Sequence, residues 1–366
     1  MKEIRYFAGG NTAKGFVHYF ESNFQNLDRL FILKGGPGTG KSTLMKSIGT
    51  EWKNKGYAIE WVHCSSDAES LDAVIIPRLN AGIVDGTNPH VIEPQYPGIV
   101  EDYVNVGNAW DRKTLLIHKD EIISLTKRVK QGFQLAYDSF HEALEEHHEL
   151  EQVYHRHMDF ENLNQYTEKI IQKLLPADSK SGKGNVKHRF SGAATPDGHV
   201  DFVNSITEHV KYRYFIKGKP GTGKSTILKK VARAAESKGY DMEIYHCGFD
   251  PDSLDMVIVR EADFAIFDST PPHEYFPVKE NDILINLDDF LAADSLKKYG
   301  KEIEIQSEKY TFWMKKGIAY LSDTKKLRDQ LEGYYVQAMD FTKTEEIKKQ
   351  IICELEKMKT EKNRDN

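Results

Sequence analysis

Short apolar runs separated by polar, glycine-rich stretches set the pattern of this chain. Leu30-Phe31-Ile32-Leu33 and Tyr214-Phe215-Ile216 read as buried strands. Each is followed by apolar positions at helical spacing, namely Leu44, Met45 and Ile48 in one place and Ile227, Leu228 and Val231 in the other. The first such helix is expected over 42–55 and ends at Gly56, a C-cap residue. A strand over 57–63 follows, then a helix near 70–78 started by Ser70, a strand over 81–84 and another near 103–106. Strand–helix alternation predicts an α/β fold with a mostly parallel sheet and helices on both faces.

From Asp111 to about Leu175 the pattern changes. Val129, Phe133, Ala136, Phe140, Ala143, His147, Leu150 and Tyr154 step by 4 and 3, a narrow stripe suited to packing on another helix. Unbroken, such an arm reaches on the order of 60 Å. A counterpart lies at 294–357, with Gly317 and Ser322-Asp323-Thr324 expected to interrupt it. Asp178 to Gly184 has linker composition, and Lys357 to Asn366 is expected to be disordered.

The two patterns are one pattern written twice. At an offset of 183, Phe7 falls on Phe190, Lys55-Gly56-Tyr57 on Lys238-Gly239-Tyr240, and His63-Cys64 on His246-Cys247. Ser70-Leu71-Asp72 falls on Ser253-Leu254-Asp255 and Pro89-His90 on Pro272-His273, with about a third of aligned positions identical. The offset then slips to 181, where Met158-Asp159-Phe160 meets Met339-Asp340-Phe341. The expected organisation is therefore a first α/β domain (1–110), a helical arm (111–177), a linker (178–186), a second domain (187–290), a second arm (291–357) and a tail (358–366). Two copies are too few for a solenoid.

Composition narrows the function classes. The 366 residues carry a net charge of −6, so no global basic field points to nucleic acid or an anionic membrane. No apolar run approaches the ~18 residues of a membrane span. Cys64, Cys247 and Cys353 show no paired spacing, which fits a reducing cytoplasm.

The chemistry concentrates in two glycine-rich loops. Gly35-Gly36-Pro37-Gly38-Thr39-Gly40-Lys41-Ser42-Thr43 recurs as Gly218-Lys219-Pro220-Gly221-Thr222-Gly223-Lys224-Ser225-Thr226. Glycines let a backbone wrap a phosphate closely, with N–H groups pointing inward at a helix N-terminus. In that reading Lys41 and Lys224 reach the β/γ-phosphates of ATP, and the hydroxyls of Ser42 and Ser225 ligate Mg²⁺. Asp85 and Asp268, closing apolar runs, are the second magnesium-holding residues. Gly86 and Ser269 stand where many ATP-hydrolysing motors carry a glutamate, so fast hydrolysis is not expected. His63 and His246, Asp67 and Asp250, Asp72 and Asp255, and His90 and His273 are the polar candidates near strand ends, where α/β sheets bind ligands. The run from Asp85 to His90, and its twin from Asp268 to His273, is the candidate γ-phosphate sensor. His141, His147, His148, His155 and His157 on the first arm lack zinc-protease spacing and read as a solvated face.

The loops, the Asp-ending runs and the duplicated His-Cys, Ser-Leu-Asp and Asp-x-Thr-x-Pro-His elements resemble the P-loop NTPase superfamily. Within it they resemble a bacterial family of tandem P-loop ATP-binding proteins labelled only as ATPase or nucleotide kinase. The resemblance covers essentially the whole chain and implies two tandem P-loop NTPase domains, each followed by a helical arm. Three uses of ATP follow. One is a slow ATPase that acts as a switch on a protein or small-molecule partner. Another is a nucleotide or small-molecule kinase, weakened by the lack of any arginine between Arg78 and Arg112 or between Arg260 and Arg328. The third is a nucleic-acid-associated ATPase, whose one basic signature is the Lys183–Arg189 cluster.

Overall fold

The computed structural model describes residues 3–175 and 182–364. The first half runs through β1 (Glu3–Phe7), β2 (Gly9–Thr12), β3 (Gly15–His18), α1 (Phe20–Phe24), β4 (Arg29–Lys34) and α2 (Lys41–Asn54). It continues through β5 (Ile59–Cys64), β6 (Asp67–Ile76), β7 (Ala81–Asp85) and β8 (Glu101–Asn105) to the helices α3 (Arg112–Ile117), α4 (Lys119–His155) and α5 (Phe160–Leu174). The second half repeats this as β9 (Val186–Phe190), β10 (Gly192–Thr195), β11 (Gly198–Asp201), α6 (Val203–Thr207), β12 (Tyr212–Lys217) and α7 (Lys224–Ser237). Then come β13 (Met242–His246), β14 (Leu254–Val259), β15 (Phe264–Asp268), β16 (Asp282–Asn286), α8 (Ala293–Leu296), α9 (Gly300–Gln337) and α10 (Phe341–Lys362).

All the large strands form one sheet of mixed direction, in the order β16-β12-β15-β14-β13-β9-β1-β5-β6-β7-β4-β8. Read from either end the order is the same for the two halves, which meet where β1 pairs antiparallel with β9 at Phe7 and Phe190. A four-stranded sheet, β11-β10-β2-β3, repeats the arrangement, with β2 antiparallel to β10. The duplication is thus folded about a pseudo-two-fold axis through one continuous sheet.

Several expectations are corrected. Residues 70–78 form no helix. Leu71 and Ala73 to Ile76 are all buried in β6, which runs antiparallel to both β5 and β7. The β-branched run decides this, and the Ser70 hydroxyl binds Asp67 rather than capping a helix. The sheet is accordingly mixed rather than mostly parallel. The second arm is not interrupted either, since α9 is one helix of 38 residues that contains Gly317 and Ser322 to Thr324. Gly317 is there to let Phe140 of α4 approach, for a Cβ would lie 2.4 Å from its ring. The 357–362 segment is helical, its stem held by Leu355 in the first-half core. Residues 178–181 of the expected linker and 365–366 of the tail lie outside the described residues.

The arms cross over. α4 and α9 lie antiparallel, Gly132 beside Thr324 and Phe140 beside Gly317, on top of the small sheet. As a result α5 delivers Leu163, Ile170 and Leu174 to the core of the second half, packed on α7. In exchange α10 delivers Ile351 and Leu355 to the core of the first half, packed on α2. Backbone pairing fixes the exchange, as Asp111 N donates to Ala338 O and Asp340 N to Ala109 O, matched by Asp159 N to Phe290 O and Ala292 N to His157 O.

One buried ion network marks the axis. Arg189, 1% exposed, donates to Glu60 (2.6 Å), Glu243 (3.1 Å) and Asn23 (2.7 Å) and lies over the Tyr6 ring at 3.9 Å. Tyr6 is its own counterpart at the 183 offset. Burial pushes the Glu243 carboxyl up, but Arg189 and Arg260 outweigh it and carry the value down to about 2. Arg189 is therefore not part of a surface basic patch.

Candidate functional site

The glycine-rich loops join β4 to α2 and β12 to α7. Gly38 and Gly40 (φ 68° and 79°), like Gly221 and Gly223 (74° and 94°), take left-handed conformations that only glycine adopts freely. Backbone of this kind, ending at a helix N-terminus, can present N–H groups to an anion. Lys41 donates to the carbonyls of Gly35 (2.9 Å) and Gly36 (2.8 Å) and lies 3.5 Å from Asp85. Lys224 repeats this with Gly218 (2.9 Å), Lys219 (3.1 Å) and Asp268 (3.7 Å). Thr39 and Thr222 tie each loop to itself through the carbonyls of Gly36 and Lys219. Ser42 and Ser225 accept from the backbone N–H of Leu71 and Leu254 (3.0 and 2.9 Å), linking each loop to β6 or β14. Lysine, serine and aspartate are therefore side by side in both copies. The serine and aspartate oxygens are hard donors of the kind that suits a hydrated Mg²⁺, and the lysine supplies positive charge.

What covers each loop comes from the other half. A Cβ on Gly38 would lie 2.8 Å from the Glu332 carbonyl and 3.1 Å from Val336, both on α9. On Gly221 it would lie 2.3 Å from the Glu151 carbonyl on α4. The glycines at these positions let the crossed arms sit on the loops.

The arms bring unequal chemistry. Arg328 of α9, one turn before Glu332, acts electrostatically on Cys64, Asp67, Asp72 and His90. Lys325, another turn back, acts on Asp67. At the 181 offset Arg328 corresponds to His147, which sits 3.5 Å from Glu151 and packs on Phe249 and Tyr310. Arg328 is not among the site residues expected from the sequence, where it only bounds an arginine-free stretch. The only signal for it was that the stripe on the arm needed a partner helix. The expected solvated histidine face holds for His141, His148 and His155, but His147 and His157 turn inward.

A chain of polar groups leads away from each loop. Asp85 accepts from Thr87 N (2.9 Å) and Oγ1 (2.5 Å), as Asp268 does from Thr270 (3.0 and 2.6 Å). His90 is buried, with Nε2 3.3 Å from Asp72. Burial lowers its proton affinity, yet Asp72 overrides and holds it above the usual histidine value. Its twin His273 faces Asp255 at 3.6 Å and also Asp201 at 3.6 Å and His199 at 2.8 Å. Burial lifts Asp255 to about 6.

His63 and His246 stand elsewhere. His63 is bound by Arg5 (3.3 Å) and the Ala68 carbonyl (2.7 Å) and packs on Phe202 of the second half. His246 is bound by His188 and the Pro251 carbonyl (both 2.8 Å) and stacks on Tyr19. Both belong to the seam between the halves. Asp67, at the start of β6, accepts from Ser70 and Asp250, before β14, accepts from Ser253 (both 2.8 Å), and Lys14 of the first half approaches Asp250 at 3.9 Å.

Beside the first loop a cleft of about 490 Å³ is lined by Lys34, Gly35, Thr87, Tyr103, Asn105, Gly107 and Trp110. No helix among the described residues is long and apolar enough to cross a membrane. Comparison with protein-family models, curated proteins and solved structures returns no match to this chain.

Proposed function

We propose that the chain is a P-loop NTPase with two Mg²⁺-dependent ATP sites, each made of one half's glycine-rich loop beneath the other half's arm. Its activity is slow ATP hydrolysis that shifts the arms, a cytoplasmic switch for a protein or small-molecule partner. The observation that carries this reading is the crossing of the arms onto the loops at Gly38 and Gly221. An anion entering either loop has to meet, or displace, a helix anchored in the opposite half.

In this mechanism Lys41 and Lys224 leave the loop carbonyls they now bind and turn to the β/γ-phosphates. Ser42 with Asp85, and Ser225 with Asp268, would hold the magnesium ion, which supplies charge neutralisation between the phosphate oxygens. Arg328 adds a second cation to the first site from across the seam. The second site receives His147 there instead. Hydrolysis is therefore assigned to the first site, and the second is a slower or purely regulatory one. With glycine or serine after the aspartates, the glutamate that activates water in many ATP-hydrolysing motors is missing from that position, which supports low turnover.

A kinase is favoured by one observation, the aromatic-edged cleft beside the first loop, whose volume suits a small acceptor. Labelled ATP and Mg²⁺, with and without a panel of nucleosides and sugars, separates the two. Phosphate release without an acceptor, lost in Lys41→Ala/Lys224→Ala, is the expected result. A labelled acceptor product replaces the switch with the kinase.

A further inference from the structure

The second half contains a His-Asp-His cluster that its twin lacks and to which the proposed ATP mechanism assigns no step. His199 and Asp201 lie on β11, at the edge of the small sheet, and His273 lies in the loop after β15. We propose that His199 Nε2, His273 Nδ1 and Asp201 Oδ2 bind one divalent transition-metal ion of the zinc class. The proposal goes beyond the nucleotide reading and does not depend on it.

The geometry is that of three corners of a tetrahedron. The three atoms are 2.8, 3.6 and 3.8 Å apart. Bonds of about 2.0–2.1 Å at tetrahedral angles put ligand atoms roughly 3.3 Å from one another, so small rotations of the rings suffice. Two imidazoles and one carboxylate are a borderline donor set that suits Zn²⁺, Co²⁺ or Ni²⁺ and not the hard Mg²⁺ of the loops. With only three protein donors, the fourth position is left for water.

The surroundings point to the same ligand. Asp255 Oδ2 is buried without a hydrogen-bond partner, 3.6 Å from His273 Nε2. Once a metal takes Nδ1, the proton resides on Nε2, and Asp255 becomes its acceptor, the usual carboxylate support of a ligating histidine. Tyr275 donates to the other oxygen of Asp201 (2.5 Å), fixing that carboxylate too. Gly192 on β10 leaves the room. A Cβ there would lie 2.8 Å from His273, 2.9 Å from Asp201 and 2.9 Å from His199.

The first half fills the same corner differently, and its His90 lies instead in a separate buried group with Cys64 and Asp72. At the 183 offset His199 and Asp201 become Phe16 and His18, while His273 remains as His90. There the Phe16 and Phe20 rings pack on His90 in T-shaped contacts, with centroids at 5.1 and 5.2 Å. Apolar packing in one half and a metal in the other thus fasten the same loop, the one that follows Asp85 or Asp268, to the small sheet.

The test is metal titration of the full-length protein after chelator treatment, without nucleotide. Zn²⁺ is followed by calorimetry and retained metal, and Co²⁺ by its visible ligand-field bands. About one equivalent of Zn²⁺ retained per chain is expected, with a rise in melting temperature. The variant His199→Phe/Asp201→His/Val203→Phe places the first half's residues at all three positions, so it should fold, retain no metal at this site and show no thermal shift. Ser225→Ala should leave metal binding unchanged, separating this site from magnesium at the loop. No stoichiometric Zn²⁺ or Co²⁺ binding in the parent protein, or equal binding in the triple variant, overturns the proposal.

Discussion

Arg328→Ala is the substitution that tests the crossed-arm mechanism most directly. The guanidinium reaches the first site from α9, with 28% of the side chain exposed and one loose intrahelical pair to Glu332 at 3.7 Å. Its charge already acts on Asp67, Asp72 and His90 around the first loop. A unit charge roughly 5 Å from the developing phosphate charge, at an effective dielectric of about 20, is worth on the order of 3 kcal/mol. That corresponds to about 10²-fold in rate. The assay is steady-state phosphate release in two backgrounds, Lys224→Ala, which leaves only the first site, and Lys41→Ala, which leaves only the second. Arg328→Ala should cost about 10²-fold in the first background and less than about twofold in the second. Arg328→Lys should recover part of the loss, because charge returns without the planar fork. Stability measured by urea titration should change by no more than ~1 kcal/mol, as for other half-exposed ion pairs. An equal loss in both backgrounds, or none in the first, refutes delivery of this arginine across the seam.

Arg189→Ala removes the cation shared by Glu60 and Glu243 and should destabilise the protein by about 3–5 kcal/mol in urea unfolding, far more than a surface change. Glu243 is held at about 2 against an ordinary 4.5, so its contribution is present above pH 4.5 and disappears as pH falls towards 2. A shift of that size corresponds to roughly 3 kcal/mol, so the stability curves of wild type and Glu243→Gln should converge at the acid end and separate above pH 4.5. Gly317→Val drives a branched Cβ and its methyls into the Phe140 ring and should cost about 1–3 kcal/mol by overpacking, seen as an earlier urea midpoint. Gly221→Ala forces both a left-handed alanine and a contact with the Glu151 carbonyl, and should loosen α4 at that loop, measured as faster amide exchange over 145–155.

The repeat, the loops and the long helices were legible because each rests on local pattern. A strand, a glycine turn and a helix at 30–55 need no distant information, and their twin at 213–237 reinforces them. The 70–78 segment failed because Ser70 mimics a cap, while the deciding fact was burial of Leu71 and Ala73 to Ile76 between two antiparallel neighbours. Gly317 failed for a related reason. A glycine that looks like a helix breaker in one dimension is a seat for Phe140 in three. The pairing of β1 with β9 and the crossing of α4 with α9 were invisible, since one half's stripe does not say which helix fills it. For the candidate site this mattered most. Lys41, Ser42 and Asp85 are near one another because of one half's topology, but Arg328 and His147 reach the loops only through the exchange. His63 and His246 share strand ends with the site in sequence and lie on the seam in space.

The exchange also orders events during synthesis. The first glycine loop leaves the ribosome early, yet the helix that roofs it spans 300–337 and the one that completes its core spans 341–362. The second loop has the opposite history, for α4 and α5 are made before β12 and α7 exist to receive them. From residue 174 until α7 ends at 237, then, the nascent chain holds one half without its lid and a pair of helices without their seat. The first half is not complete until the last helix has emerged, so a chain stopped short of residue 341 exposes the Leu44, Met45 and Ile48 face of α2 that Ile351 and Leu355 would have covered. Such a fragment presents itself to the cell's quality control as a sticky, half-closed protein.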